Sequence, residues 1–141
     1  MKIVVTGAGG FVGRQVVARL LARGATVVAV DVQTNGLPDG VRALAGDLAD
    51  EAIRREALAD GIDGLIHLAT VPGGAAELDP VASRRINVDA GYDLIVEAAA
   101  VGTRPRFVYA SRFNSCRSAQ PVQLGTPTRR SSDLQDPSLA A

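Results

Sequence analysis

Lys2-Ile3-Val4-Val5-Thr6-Gly7-Ala8-Gly9-Gly10-Phe11-Val12-Gly13-Arg14 carries the start of the chain from one backbone period into another. Lys2 to Thr6 is a short β-branched run that stops in glycines. Phe11, Val12, Val16, Val17, Leu20 and Leu21 then recur at helical spacing as far as Arg23. The stretch predicts a strand, a glycine-rich turn and a helix, with Gly24 closing the helix. In that setting each glycine has a steric task. Gly7 permits the tight turn, Gly10 lets backbone approach a pyrophosphate, and Gly13 lets helix and strand pack closely. The helix N-terminus adds amide donors and partial positive charge. The pattern is a dinucleotide-binding fingerprint, so Gly7, Gly10, Phe11, Val12 and Gly13 are candidate cofactor-binding residues.

Outward from the loop, Thr26 to Val30 is a nearly unbroken apolar strand with Asp31 at its end. A carboxylate there, about 20 residues beyond the loop, accepts hydrogen bonds from the adenosine ribose and repels a 2′-phosphate. No arginine follows Asp31 immediately, so NAD is favoured over NADP; a solvated acid opening a turn is the plainer reading. Val41 to Ala45 reads as a third strand, followed by Gly46-Asp47-Leu48 and a helix over 51–60. Asp47 is either an acceptor for the adenine amine or the cap of that helix. Gly64 to Ala69 predicts a fourth strand, Thr70 to Asp79 a Gly- and Pro-containing loop, 81–100 a helix, and Arg106 to Ala110 a fifth strand. Alternating strands and helices with continuous apolar strands predict an α/β fold: a Rossmann-type, doubly wound parallel sheet in the order 3-2-1-4-5, truncated after the fifth strand.

Composition narrows the function classes. The 141 residues suit one domain, and Lys+Arg and Asp+Glu are balanced at 15 each, which leaves no net field to recruit nucleic acid or an acidic membrane. The lone cysteine, Cys116, allows no internal disulfide, no signal peptide precedes the first strand, and no apolar run nears the roughly 20 residues of a membrane span. A soluble cytoplasmic protein is expected.

Thr6 to Gly13, Asp31, Gly46-Asp47-Leu48, His67-Leu68-Ala69, Asn87-Val88-Asp89-Ala90 and Arg106-Phe107-Val108-Tyr109-Ala110-Ser111 occur in the order found in extended short-chain dehydrogenases. Residues 1–111 thus resemble the NAD-dependent epimerase/dehydratase family. Within it, Val71 to Glu77 and Arg84 to Ala90 look most like the D-erythronate dehydrogenase group, which oxidises a four-carbon sugar acid. The resemblance implies that Asp47 and Leu48 belong to the cofactor site, that Leu68 and Ala69 line its nicotinamide side, that Asn87 stabilises the surrounding loops, and that Ser111 stands near the cofactor. It also implies that Gly73, Gly74 and Glu77 help form a substrate loop, and that full-length relatives are homodimers. His67 reads as structural, and Arg84 and Arg85 as solvated.

The same resemblance shows where the pattern breaks. The family continues with a second serine or threonine and a Tyr-x-x-x-Lys that performs general-base chemistry. Here Arg112 takes the serine's place, neither Tyr92 nor Tyr109 is followed four residues later by lysine, and Lys2 is the chain's only lysine. Catalytic residues are therefore expected to be none, which leaves room for a noncatalytic NAD-binding module or a nucleotide-sugar enzyme's cofactor part.

Residues 112–141 change character, dominated by Ser, Arg, Gln, Pro and Thr without strand or helix period, and read as a disordered or non-native tail. Thr128-Arg129-Arg130-Ser131-Ser132-Asp133-Leu134 is the translation of ACA CGA CGC TCT TCC GAT CT, which resembles a sequencing-adapter oligonucleotide. Phe113-Asn114-Ser115-Cys116 can be encoded so that a shifted frame reads Ser-Ile-Ala-Val, which suits the family after its first serine. The expectation is a frameshift near Arg112 followed by adapter read-through. Independent sequencing of the locus is expected to depart from this frame near Arg112; a stop codon directly after Ala141 in the same frame overturns it.

Overall fold

The computed structural model describes residues 1–110; Ser111 and the segment 112–141, with Arg112 and Cys116, lie outside the described residues. Five strands, β1 (Lys2–Thr6), β2 (Thr26–Asp31), β3 (Arg42–Ala45), β4 (Gly64–His67) and β5 (Arg106–Tyr109), form one sheet in the order β3-β2-β1-β4-β5. Every pairing is parallel, with Val4 opposite Val28 on one side and Leu65 on the other. This is the expected doubly wound sheet.

The apolar strands are continuous because both faces of the sheet are covered, and the two-residue strand period divides them. Ile3, Val5, Val27 and Ala29 pack with Val17 of α1 (Phe11–Ala22) on one face. Val4, Val28, Val30, Leu44 and Leu65 pack with Ala57 and Leu58 of α2 (Glu51–Leu58) and Leu94 and Ala98 of α5 (Gly91–Ala100) on the other. β5, at the sheet's edge, is exposed along its whole length. Phe107 and Tyr109 stack there with their ring centres 6.4 Å apart.

Helix ends follow the sequence closely. After α1 the chain closes a double turn in which Gly24 N–H donates to the Leu21 carbonyl at 2.9 Å and Ala25 N–H to that of Leu20 at 3.1 Å. Gly24 supplies the positive φ of 76° that this closure needs. At the start of α2 the capping side chain is Asp50, whose carboxylate accepts from Ala52 N–H at 2.9 Å. The cap reading of Asp47 is thereby corrected, because Asp47 lies one turn too early and accepts from Ala49 N–H instead.

Two expectations in the second half are revised. The loop over 70–79 contains α3 (Gly73–Leu78), so Gly73, Gly74 and Glu77 stand on a helix rather than in an open loop. It buries no residue, which is why no apolar period announced it. The helix expected over 81–100 runs unbroken from Pro80 to Ala100, but its winding changes along the way: α4 (Pro80–Arg84), a π-helical segment (Arg85–Ala90) and α5. Asp79 caps α4 through Ala82 N–H and Pro80 occupies its first turn, a start signal the apolar pattern alone does not locate.

One buried cation ties the lower face together. Arg54 of α2 has a side chain only 6% exposed, with Nη2 2.9 Å from Glu97 and 3.5 Å from Asp93, both on α5. Its Nη1 donates to the Leu48 carbonyl at 3.0 Å. The hydrogen bonds it donates to Glu97 hold the guanidinium protonated against the opposing effect of burial. Removing it strands Glu97 and the Leu48 carbonyl together. Arg54→Met is expected to lower the stability of the chain by about 2 kcal/mol, allowing for the partial exposure of Glu97. The midpoint of urea unfolding for the two chains measures it.

Candidate functional site

The carboxyl ends of β1, β2 and β4 open into a cleft of about 490 Å³. It lies where the connection after β1 crosses toward β2 while β4 follows on β1's other side, the place where open parallel sheets bind ligands. Its wall holds Gly7, Gly10, Phe11, Val12 and Gly13 from the first turn, Asp31 from β2, Asp47 and Leu48 from the loop after β3, and Leu68 and Ala69 from the end of β4.

The turn after β1 is built from backbone contacts that exclude side chains. Gly7 has φ of 68°, and a Cβ built on it would stand 2.6 Å from Ala69 N. A Cβ on Gly13 would stand 2.1 Å from the Gly7 carbonyl oxygen and 2.7 Å from Ala8 Cα. α1 can therefore start directly against the turn after β1, and that turn lies directly against the end of β4. Gly10 precedes α1 without any side-chain cap, and no acidic residue occupies the first turn. The N–H groups of Phe11, Val12 and Gly13 have no earlier helical carbonyl to bond and no partner among the described residues. Phe11 and Val12 are exposed beside them. Unengaged donors with a helix dipole behind them, facing open space, make an anion cradle.

At the other end of the turn, Asp31 accepts from Gly9 N–H at 2.9 Å through one carboxylate oxygen and from Gln33 N–H at 3.0 Å through the other. The carboxylate is thus fixed by the glycine-rich turn and by the loop after β2. Asp47 accepts from Ala49 N–H at 2.9 Å, and its second oxygen lies 3.6 Å from Nη2 of Arg85. Arg85 is exposed, as expected, and also reaches across to this acid. The Leu48 carbonyl is held from below by Arg54, so a buried ion pair outside the cleft positions part of its wall.

Asn87 does not line the cleft. From the π-helical segment its side chain accepts from Val71 N–H at 2.7 Å and donates to the Val71 carbonyl at 3.1 Å. Val71 and Ile86 do line it. Gly73, Gly74 and Glu77 of α3 are outside its lining, and Ser111 lies outside the described residues. No group of three or more His, Cys, Asp or Glu that could hold a metal occurs among the described residues, and no described helix is long and apolar enough to cross a membrane.

Sequence reasoning missed two residues here. A basic group was sought just after Asp31, yet Arg14 comes from α1 to the same turn, its Nε donating to the Gly9 carbonyl at 2.8 Å, outside the lining of the cleft. Ile86 was hidden because it is carried into the cleft by non-α winding.

His67, at the end of β4, is buried with Nδ1 2.7 Å from the Thr6 hydroxyl. Its ring lies 5.3 Å from that of Tyr109. Nε2 has no partner among the described residues and faces Gly91, where a Cβ would come within 3.2 Å. It lines no part of the cleft. Burial pushes its pKa below the ordinary 6.5. The folded chain therefore binds fewer protons there than the unfolded one, so the contribution is present above 6.5 and is lost as pH falls through that value toward the folded pKa. Unfolding midpoints are expected to drop as pH falls below about 6.5, and His67→Gln to flatten that dependence.

The NAD dependent epimerase/dehydratase family model matches residues 3–128. A D-erythronate dehydrogenase of Cupriavidus necator is 34% identical over 125 residues, which covers 79% of this chain and 38% of the relative. A short-chain dehydrogenase/reductase superfamily protein from Agrobacterium tumefaciens, solved with bound NAD, superposes with a TM-score of 0.69 at 33% identity, covering 79% of this chain and 32% of that one. A Thermus thermophilus UDP-glucose 4-epimerase in complex with NAD gives a TM-score of 0.63 at 31% identity, covering 70% and 33%. The chain spans about a third of the length of these proteins.

Proposed function

The chain belongs to the NAD-dependent epimerase/dehydratase family, and from that premise we propose that its cleft is the NAD site of an oxidoreductase of which residues 1–111 are the cofactor-binding part. The observation that carries this reading is the uncapped, acid-free start of α1 facing open space beside the fixed carboxylate of Asp31. Gly10, Phe11, Val12 and Gly13 would receive the pyrophosphate on backbone N–H groups, and Asp31 the adenosine ribose. Asp47, Leu48 and Ile86 would frame the adenine; Leu68 and Ala69 would face the nicotinamide, with Asn87 acting through Val71. Ser111 would stand near the cofactor, and Gly73, Gly74 and Glu77 would border the substrate. When bound, NAD supplies the hydride acceptor; the residues on this chain bind and orient it.

For the full-length protein, oxidation of a hydroxyl on a small sugar acid such as D-erythronate is the substrate reading, supported by the Cupriavidus relative. The Thermus structure supports a nucleotide-sugar alternative. A noncatalytic NAD-binding module is a third reading. We read residues 112–141 as a non-native tail, the full-length protein as a homodimer, and its location as cytoplasmic.

Calorimetric titration of the purified chain with NAD and with NADP tests the cofactor reading. NAD is expected to bind more tightly than NADP, and Asp31→Ala to weaken NAD by about tenfold through loss of a charge-assisted hydrogen bond. A folded chain that binds neither dinucleotide overturns the assignment.

A further inference from the structure

Resting on the reading that Asp47, Leu48 and Ile86 frame the adenine, that part of the cleft has a support outside its own lining. The 46–48 loop stands on α2, and Ile86 on the rod that continues into α5. Two neighbouring residues of α2 hold the loop. A Cβ on Gly46 would run into the Ile53 side chain, so the loop lies this close to α2 only because it has none. Beside it, Nη1 of Arg54 donates to the Leu48 carbonyl at 3.0 Å, the one hydrogen bond which that carbonyl accepts among the described residues. The other backbone ties of the loop are local or come from β2: Asp50 N–H donates to the Asp47 carbonyl at 2.9 Å, and Gly46 N–H to that of Asp31 at 3.0 Å. The opposite side of the guanidinium belongs to α5. Its Nε lies 3.1 Å from both carboxylate oxygens of Glu97, and its Nη2 2.9 Å from one of them. Among the described residues the only other ion pair that joins the loop to the rod, Arg85 with Asp47 at 3.6 Å, is exposed. Arg54 is therefore a buried strut between the two supports of the lining.

We propose that Arg54, anchored by Glu97, is a positioning residue for dinucleotide binding: it sets how far the Leu48 peptide stands from Ile86, and with that the width of the slot that takes the adenine. It acts through Leu48 and is itself absent from the cleft lining. Its planar fork places donors on two sides at once, toward the loop and toward α5, which the single nitrogen of a lysine does not. Packing alone does not call for a cation here. α2 and α5 already meet through Ala57, Leu58, Leu94 and Ala98, and an apolar residue at position 54 would extend that contact. It would also leave the Leu48 carbonyl without its tie.

The test sets affinity against stability on the whole chain, with calorimetric titration by AMP and by NAD beside urea unfolding. Arg54→Met is expected to weaken both ligands about tenfold, the scale of one misplaced charge-assisted hydrogen bond. AMP, which fills the adenine and ribose end alone, is expected to lose the same factor as NAD. Leu58→Ala, buried at the last turn of α2 and outside the cleft lining, is expected to cost at least as much stability and to leave both affinities unchanged. Arg54→Lys is expected to recover most of the stability through Glu97 while its AMP affinity stays at the level of the methionine chain, and this arm decides even where Arg54→Met does not fold. Three outcomes overturn the proposal: a loss of affinity no greater than that of Leu58→Ala, a loss for NAD that AMP does not share, or an Arg54→Lys chain with the parent's affinity. A folded parent chain that binds neither AMP nor NAD overturns the cofactor reading itself, and the proposal with it.

Discussion

Three elements come within backbone contact of one another where β1 turns into α1, and the rest of the cleft depends on that approach. The peptide at Gly7 lies against the end of β4, while the first turn of α1 rests on the Gly7 carbonyl and on Ala8. Side chains at Gly7 or Gly13 would drive these backbones apart. Because β1 has β2 on one side and β4 on the other, the approach also sets where the crevice opens. A helix start brought this close to the sheet has its unpaired N–H groups aimed over the strand ends, so the geometry that packs the fold also creates the anion cradle. Stability and binding draw on the same few atoms there.

The two walls of the cleft are organised differently. Around the glycine-rich turn the polar groups that face it are backbone, positioned by strand pairing and steric closeness. Toward β2 and β3 they are side chains whose orientation is set by other groups, Asp31 by two peptide N–H groups and Asp47 by Ala49 N–H and Arg85, while Arg54 holds the backbone carbonyl of Leu48. The pair between Arg85 and Asp47 is largely in water, and such pairs contribute little to stability. Arg54 differs because it is buried and linked to two acids on another helix.

Most of the first half of the molecule was legible in the sequence because its periods are unambiguous and its turns are marked by glycine. β1, α1 and β2 begin and end within a residue of their expected bounds, and the order of all five strands follows from their alternation with helices. The second half resisted. α3 carries two glycines and buries nothing, so it leaves no apolar signature, and it is visible only through its geometry. Asp47 and Asp50 both offer a short acid before α2, and the choice between them is made by which N–H groups each can reach. Arg54 reads as an ordinary surface cation on α2, since its burial depends on acids that are distant in sequence. Arg14 belongs to α1 yet reaches the loop after the next strand, and no local pattern predicts such a crossing.

The π-helical segment from Arg85 to Ala90 sits between two stretches of ordinary helix. Relative to normal winding, each such turn takes in one extra residue, and one residue corresponds to about 100° around a helix axis. The segment therefore works as a phase shifter along a single rod. C-terminal to it, Leu94 and Ala98 keep their places in the core; within it, Ile86 meets the cleft and Asn87 meets the chain at Val71. A rod of uniform pitch would have to choose between serving the core and serving the cleft. Sequence length itself is thus informative here: single-residue insertions and deletions across 85–90 rotate one surface against the other, and are a different class of change from substitutions at the same positions.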